Sequence, residues 1–365
     1  MPDIDRSAIP TYLIPVLLLL GSLLGGCANG LQATGIATPC GAATAAMTTQ
    51  GAAADVDMAA LQNDVDDIMA ELRSNRDGKL YSGAVEGVDP NDLAIAVALV
   101  DGRTLASGDS DVQFPLMSVS KPFTYALALE QRGVDYMLET IGVSATGLPY
   151  NSVAAGAVRQ TSEQNPMVNA GAIATHSYIL GADPAAKSRA VVDLYSRMAN
   201  HALAIREAWR ATPRALTYTL AYQMQAAERL DGDVRDVANR YLESNIVAVT
   251  AGQLAQMGAT LANGGIQPLS GERIVTTDTV HTVLSAMVIA GMYEDSGYWW
   301  TRVGVPAKSG VSGGIVAVVP GWGAIVAYSP RLDAAGNSVR AALAIEQLVG
   351  RWKLHSIERM LDQHN

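Results

Sequence analysis

The sequence predicts an α+β protein in which both ends of the chain share one antiparallel sheet and the middle forms a mostly helical lobe. The apolar run "LAIAVALV" ends at Asp101-Gly102, a hairpin signal, and two later apolar runs flank the glycine-rich turn at 321–323. Between these hairpins, from about 118 to 299, apolar residues recur at helical spacing. The helical insert is therefore expected to form a second lobe beside the sheet.

Helices are expected at both ends of the folded region, where they would cover the sheet. The last helix, "NSVRAALAIEQLVGRWKLHSIERML", follows two strands, "GGIVAVVP" and "GAIVAYSP". It opens on Asn337 and Ser338, residue types that cap helix N-termini. The first helix, from Asp55, places its apolar residues on one stripe: Met58, Leu61, Val65, Ile68, Met69 and Leu72.

Composition and charge exclude several classes of function. The chain has 365 residues, of which 49% are hydrophobic and 16% charged, so it can bury a sizeable core. A net charge of −10 without a basic cluster argues against nucleic acid as a partner. Its 2 cysteines and 5 histidines show no metal-ligand spacing, so no metal site is expected.

The N-terminus has the features of an export signal. The run "YLIPVLLLLGSLLGG" is short for a membrane span but has the length of a signal-peptide core. With Cys27 it resembles the lipobox of bacterial lipoproteins, which implies a signal peptide over 1–27, a lipidated Cys27 and an exported protein anchored in the cell envelope. A signal peptide normally begins with a positively charged region, but here Arg6 is accompanied by Asp3 and Asp5. The alternative is therefore an uncleaved anchor or a wrong start codon. Residues 28–54 are expected to be a flexible tether to a catalytic domain over 55–365.

The stretch "SVSK" carries the first candidate chemistry. Ser118 and Lys121 are three residues apart, which places them on one face of a helix, and a partly desolvated lysine can take the proton of a serine nucleophile. Ser120 would point about 100° away, so Ser118 is the better nucleophile. Taken alone, the pattern is more typical of a serine helix cap followed by a solvated lysine.

Two distant runs favour a catalytic role for Ser118 and Lys121. Lys308-Ser309-Gly310 has the form of the K-[ST]-G element that accompanies S-x-x-K in serine β-lactamases and penicillin-binding proteins. A backbone N–H there, with that of Ser118, would make an oxyanion hole, although an ordinary glycine-rich loop is the alternative. The run "EQNPMVNAGAI" contains Asn169, whose amide suits an amide or amino-acid substrate; helix capping is the alternative there.

The motifs together resemble those of the serine-dependent glutaminases. The runs "SVSKPF", "GLPYNS", "NPMVNAGAI", "ATLANGG", "GMYEDSG" and "PAKSGVSGGI" follow one another in that family's order, from about Leu80 to the C-terminus. The resemblance implies a β-lactamase-like fold and hydrolysis of L-glutamine to L-glutamate and ammonia through a serine acyl-enzyme. It implies no cofactor and no metal, a small-molecule substrate, and a homodimer or tetramer.

The resemblance also implies roles for individual residues. Ser118 would be the nucleophile and Lys121 its base, while Tyr293 would carry protons to the leaving ammonia. The backbone N–H of Val311 would complete the oxyanion hole. For each tyrosine taken singly, partial core packing is the alternative. The implied substrate-binding set is Tyr81, Ser118, Asn169, Tyr241, Tyr293 and Val311.

One segment departs from the family pattern. The family carries a run like "SERxxGxRN" whose Glu and Asn bind the amino-acid end of glutamine, and this signature is missing from the shorter segment 204–224. Glu207 lies there at a different spacing, Thr217 stands near the Asn position, and Met117 replaces a common Gln. Three alternatives therefore stay open: weak glutamine hydrolysis or preference for another small amide, β-lactamase-like activity, and a non-catalytic relative.

Overall fold

The computed structural model describes most of the chain after the expected tether. The expected signal peptide with Cys27 and the tether over 28–54 lie outside the described residues. All described residues belong to one unit that spans 48–365. Within that part of the chain, no helix has both the length and the apolar character needed to cross a bilayer. The described ranges are 56–152, 154, 164–210 and 215–362.

The strands of the described residues form one large sheet and two small ones. They are β1 (Lys79–Leu80), β2 (Ala94–Leu99), β3 (Thr104–Gly108), β4 (Phe114–Pro115), β5 (Ala248–Val249), β6 (Ala307–Ser309), β7 (Gly314–Val319), β8 (Gly323–Tyr328) and β9 (Arg331–Leu332). The large sheet has the order β3-β2-β8-β7-β6, while β1 pairs with β9 and β4 with β5. Every pair is antiparallel.

Most helices lie between β4 and β6. Those helices are α2 (Lys121–Arg132), α3 (Val134–Thr140), α4 (Asn169–Ser177), α5 (Pro184–Ala199), α6 (Ala215–Ala226), α7 (Val234–Asn245), α8 (Ala251–Ala262), α9 (Thr277–Ala290) and α10 (Ser296–Arg302). The terminal helices are α1 (Met58–Leu72), α11 (Val339–Arg351) and α12 (Ser356–Asp362).

The register of β2 explains how the two ends of the chain combine. Ala96 of β2 lies opposite Ala106 of β3 on one side and opposite Val326 of β8 on the other. The pairs β2–β3 and β7–β8 are the two predicted hairpins, and β2–β8 joins them into one sheet. The α+β prediction, with an antiparallel sheet and a helical lobe, is therefore confirmed.

The central strands are apolar throughout because both faces of the sheet are buried. Alternate residues of β2 separate into two cores, as the two-residue period of a strand requires. Ala96 packs with the helical lobe, while Ile95 and Val97 belong to the core that contains α1 and α11. The first helix buries the predicted stripe except Met58, which is half-buried, and Ser338 caps α11 by accepting from the N–H of Ala341.

Helix α8 packs so closely on the sheet that it requires glycine at position 258. We expect Gly258→Ala to lower the free energy of unfolding by about 2 kcal/mol. A Cβ there would lie 2.6 Å from Ala324 Cβ and 2.8 Å from Val316 Cγ2. In the same helix, a Cβ at Gly252 would meet only Thr250 Oγ1, at 4.0 Å. The control Gly252→Ala should therefore raise the free energy of unfolding by about 0.5–1 kcal/mol. Urea unfolding measures both, and equal effects would contradict this packing.

Candidate active site

The candidate nucleophile lies in a tight turn between β4 and α2. Residues Met117–Ser120 form a 3-10 turn in which the N–H of Lys121 donates to the carbonyl of Ser118. Side chains three residues apart align in such a turn, so Ser118 and Lys121 share one face. Met117 enters the turn with φ 47°, a strained conformation for a residue that is not glycine. This turn presents the Ser118 side chain, which is 8% exposed.

Lys121 is buried without a counter-ion. Its side chain is 2% exposed and joins no ion pair of the described residues. Its Nζ donates to Asn169 Oδ1 at 2.7 Å and to the Met167 carbonyl at 3.2 Å. Burial lowers the pKa of Lys121 to about 7. When neutral, the amine uses two N–H groups on these acceptors and keeps a lone pair that can accept the Ser118 proton.

The alternative of a capping serine with a solvated lysine is therefore wrong. Helix α2 begins at Lys121, and its N-cap is Ser120, whose side chain makes no capping hydrogen bond. The Ser120 hydroxyl donates instead to the Met117 carbonyl at 2.7 Å. Ser118 lines a cavity, whereas Ser120 is buried in the protein. The geometry favours Ser118 over Ser120 as the nucleophile.

Tyr293 and Lys308 pack against each other next to this turn. Lys308 Nζ lies 4.2 Å from the centre of the Tyr293 ring and donates to the carbonyls of Gly291 at 2.8 Å and Ser309 at 2.6 Å. Burial, with the charge of Lys121, lowers the pKa of Lys308 well below its ordinary value. Burial raises the pKa of Tyr293 well above its ordinary value, and the nearby Ser118 hydroxyl opposes that rise in pKa. Tyr293 therefore remains a proton donor at neutral pH.

The end of β6 runs directly against the nucleophile turn. A Cβ at Gly310 would lie 2.9 Å from Val119 Cγ2 and 3.0 Å from the Leu116 carbonyl oxygen, so a side chain there would force these neighbours to shift. The next residue, Val311, lines the same cavity as Ser118. The backbone N–H groups of Ser118 and Val311 make no hydrogen bond to described residues. Both donors are available to hold a developing oxyanion.

Ser118 and Val311 line a cavity of about 410 Å³, a volume typical of small-molecule sites. Five of the predicted substrate residues line it, and the sixth, Tyr293, packs against the lining residue Tyr150 with its ring tilted by 31°. Among the described residues, every lining side chain is uncharged. They are Tyr81, Gly83, Met117, Ser118, Tyr150, Asn151, Asn169, Ala215, Leu216, Thr217, Tyr241, Asn245 and Val311.

Asn169 connects the base to the substrate pocket. Its Oδ1 accepts from Lys121 Nζ and, at 3.2 Å, from the hydroxyl of Tyr241. With both donors on Oδ1, the amide Nδ2 is directed elsewhere, and the half-buried side chain lines the cavity. Asn169 begins α4 and Tyr241 lies in α7, so the pocket depends on how these two helices pack.

Sequence reasoning missed three polar residues of the lining, Tyr150, Asn151 and Asn245. Tyr150 and Asn151 belong to the quoted run "GLPYNS", but nothing in that run indicated contact with Tyr293, whose ring centre lies 4.1 Å from that of Tyr150. Asn245 follows Tyr241 by four residues in α7, which places both on one face of the helix. This spacing could have indicated that Asn245 lies beside Tyr241 in the pocket.

The segment 204–224, which departs from the family pattern, forms part of the cavity wall. Glu207 does not line the cavity; it is exposed and pairs with Arg210 at 2.6 Å. Thr217 and Met117 do line the cavity. Residues 211–214 lie outside the described ranges. Among the described residues, the segment contributes Ala215, Leu216 and Thr217 to the cavity wall.

Comparisons with known proteins identify the family. The Glutaminase family model matches residues 79–357. Glutaminase from Colwellia psychrerythraea is 40% identical over 301 residues, covering 81% of this chain and 96% of the relative. A solved probable glutaminase, ybaS, is 34% identical with a TM-score of 0.79, covering 82% of this chain and 99% of that chain. Mglu, solved in its L-glutamate binding form, is 34% identical with a TM-score of 0.75, covering 81% of this chain and 69% of that one.

These matches extend over the sheet, the helical lobe and every residue of the candidate site. The solved relatives share the α+β architecture described above, so the predicted β-lactamase-like fold is confirmed. The family model spans both Ser118 in the N-terminal half and Val311 near the C-terminus. This chain belongs to the glutaminase family.

Proposed function

We propose that this chain hydrolyses the side-chain amide of L-glutamine to L-glutamate and ammonia through an acyl-enzyme on Ser118. The observation that carries the proposal is the buried Lys121, one 3-10 turn from Ser118 at the edge of a substrate-sized cavity. Membership of the glutaminase family and a relative solved in its L-glutamate binding form support the choice of substrate.

Acylation begins when Ser118 Oγ attacks the amide carbon while its proton moves to Lys121 Nζ. The N–H groups of Ser118 and Val311 stabilise the oxyanion, a contribution of about 3 kcal/mol per donor in such sites. The C–N bond then breaks as Tyr293 gives its proton to the leaving nitrogen and recovers one from the Lys121 ammonium. Ammonia leaves, and the acyl group remains on Ser118.

Deacylation repeats the sequence with water as the nucleophile. Neutral Lys121 takes a proton from water as the water oxygen attacks the ester carbon, and the proton passes to Ser118 Oγ when it leaves. Asn169 and Tyr241 hold the substrate from the helical lobe, and their shared hydrogen bond orients the base as well. No step requires a metal ion.

The kcat/KM for glutamine is expected to rise with pH through an apparent pKa of about 7. Lys121 must be neutral to accept the Ser118 proton, and its pKa lies near that value because the side chain is buried. Activity should therefore fall about tenfold for each pH unit below 6 and reach a plateau above 8. Ammonia release measured between pH 5 and 9 tests this, and a flat profile would rule out Lys121 as the base.

A substrate panel tests the proposed function against its rivals. Ammonia release should be measured with glutamine, asparagine and a series of small primary amides, in parallel with nitrocefin turnover. The proposal requires glutamine to give the highest kcat/KM. A higher value for another amide would support altered specificity, nitrocefin turnover would support the β-lactamase-like alternative, and no turnover at all would support a non-catalytic relative.

We also propose that the chain is an exported lipoprotein anchored through Cys27 and assembled as a homodimer or tetramer. The lipobox-like run before Cys27 supports the anchor, and the family resemblance supports the oligomer. Intact-mass analysis of membrane extracts from cells that express wild type or Cys27→Ser tests lipidation. Light scattering of the domain without its first 54 residues tests the oligomeric state.

A further inference from the structure

The large sheet has two ends that differ in what lies beside them. At one end, which we name the turn end, Leu99 and Val319 both lie opposite Gly323, so the β2–β3 and β7–β8 turns are neighbours. At the other end, which we name the pocket end, β6 and β8 finish and β7 begins. Val311, two residues after β6, lines the catalytic pocket. The six residues of β7 separate the two ends by about 17–20 Å.

The chain enters the folded domain at the turn end. Val56 is the first described residue, and its carbonyl accepts from Arg103 Nη1 at 2.8 Å. Arg103 lies in the turn between β2 and β3. An anchor that precedes Val56 is therefore attached to the end of the domain that lies opposite the catalytic pocket.

Helix α12 also lies at the turn end. Trp352, which follows α11, packs against Trp322 of the β7–β8 turn with ring centres 5.6 Å apart. Arg359 of α12 donates through Nη1 to the Pro320 carbonyl, next to the same turn, at 3.3 Å. The C-terminal helix and the point of chain entry therefore share one end of the sheet.

Large apolar side chains are exposed at this end. On α12, Ile357, Met360 and Leu361 are 44%, 56% and 63% exposed, and spacings of three and four residues place them on one face. Leu269 is 54% exposed beside the β2–β3 turn, where its Cδ2 lies 3.1 Å from the position of a Cβ at Gly102. Single exposed apolar residues are common on soluble proteins, but a group of them marks an interaction surface for a protein or a membrane.

The expected tether is short compared with the domain. A flexible chain over residues 28–54 has a root-mean-square end-to-end distance of about 30 Å. A folded domain of this size has a radius of gyration of about 20 Å, so it is about 50 Å across. The turn end therefore stays close to the lipid at an effective concentration in roughly the millimolar range, where even a weak apolar contact forms.

We propose that the turn end rests on the phospholipid surface, with Leu269 and the apolar face of α12 inserted between headgroups and acyl chains, so that the catalytic pocket opens away from the membrane. The inference rests on the proposed anchor before Val56 and is independent of the hydrolytic reaction. Helix α12 has seven residues and is about 10 Å long, so it lies in the surface of the bilayer and does not cross it.

Charge contributes little to this contact. Residues 353–362 carry two basic and two acidic side chains, which are Lys353, Arg359, Glu358 and Asp362. Basic clusters attract anionic lipids, but this balanced set gives no net attraction. The contact should therefore form on neutral phosphatidylcholine.

The first experiment measures how close single labelled sites lie to the acyl chains. The full-length protein, in a Cys40→Ser background, is reconstituted into phosphatidylcholine vesicles whose acyl chains carry a nitroxide quencher. A fluorophore is attached at Leu361→Cys or Leu269→Cys. The control is Ala334→Cys, an exposed site that follows β9 near the pocket end. We expect quenching at least about threefold stronger at the first two sites than at the control.

The outcomes separate the contact from the anchor. Equal quenching at the three sites, or stronger quenching at Ala334→Cys, overturns the proposed orientation while the protein is still anchored. Protein that is missing from the membrane fraction overturns the anchor, and the contact with it. If run 12–26 stays as an uncleaved anchor, the same measurement applies with Cys27→Ser added, because only attachment before Val56 matters.

The second experiment removes the apolar face of α12. Ile357→Glu combined with Leu361→Glu places two charges on this face, so quenching at Leu269→Cys should fall at least about twofold. Both positions are exposed, so the fold should be retained. The control Leu80→Glu changes an exposed leucine of β1, near the pocket end, and should leave the quenching unchanged. Unchanged quenching in the α12 variant would overturn the role of this helix.

The third experiment distinguishes an apolar contact from one driven by charge. In 1 M sodium chloride, charges are screened within about 3 Å, whereas apolar insertion is not weakened. Quenching at Leu361→Cys should therefore stay within about 20% of its value at low salt. A loss of most of the quenching would show that charge holds this end to the lipid, and the apolar contact would be wrong.

Discussion

Ser118→Ala is expected to lower kcat for glutamine by about 10⁴-fold or more, because the variant has no atom that can form the acyl-enzyme. Oxyanion donors and substrate contacts remain, so a small residual rate over uncatalysed hydrolysis is expected rather than none. The side chain is small and lies at a cavity, so the free energy of unfolding should change by less than about 1 kcal/mol. Ammonia release under saturating glutamine measures the rate, and urea unfolding measures the stability.

The matched control is Ser120→Ala, in the same 3-10 turn. Ser120 donates to the Met117 carbonyl at 2.7 Å and does not line the pocket, so loss of its hydroxyl should lower stability by about 1 kcal/mol. Its kcat should stay within about fivefold of wild type. Rapid acid quenching followed by mass spectrometry should find the glutamyl group on the peptide that contains Ser118. If Ser118→Ala keeps its activity while Ser120→Ala loses it, the nucleophile has been assigned to the wrong serine.

The sheet was predictable because its signals are local. The hairpin turn at Asp101-Gly102 and the turn at 321–323 each join apolar runs that pair with each other, so register and turn lie within one short segment. The pairing of β2 with β8, across more than 200 residues, follows from no local pattern and required the assumption that both hairpins share a sheet. The burial of both faces of β2 also removed the polar alternation that would have oriented it.

The candidate site was predictable in its residue types but not in its electrostatics. The spacing of Ser118 and Lys121 indicated a shared face, yet taken alone it was more typical of a capping serine followed by a solvated lysine. Lys121 is buried against the start of α4, where Asn169 Oδ1 and the carbonyl of Met167 accept hydrogen bonds from its Nζ. That contact joins positions 46 and 48 residues apart in the chain, and no local rule predicts it.

Lys121→Met is expected to abolish glutamine hydrolysis and, at the same time, to stabilise the protein. Burying an ammonium group costs free energy that a methionine of similar length avoids. The pKa of Lys121 falls from 10.5 to about 7 on folding, which corresponds to about 5 kcal/mol below neutral pH, before the loss of its two hydrogen bonds is counted. We therefore expect a net gain of about 2 kcal/mol at pH 6.5 and a fall in kcat of at least about 10³-fold.

The pH dependence of the stability gain in Lys121→Met shows whether the gain comes from the lowered pKa of Lys121 or only from better packing of methionine. Between pH 7 and 10.5 the unfolded chain binds more protons at Lys121 than the folded chain, so wild type becomes more stable as pH rises through this window. Methionine binds no proton, so the stability difference between Lys121→Met and wild type should shrink steadily toward pH 9.5. Lys187→Met, in the half-buried surface of α5, is the control and should show no such trend. A gain that is equal at pH 6.5 and 9.5 would mean that Lys121 keeps an ordinary pKa, and the proposed base would then be a permanently protonated ammonium that cannot accept the Ser118 proton.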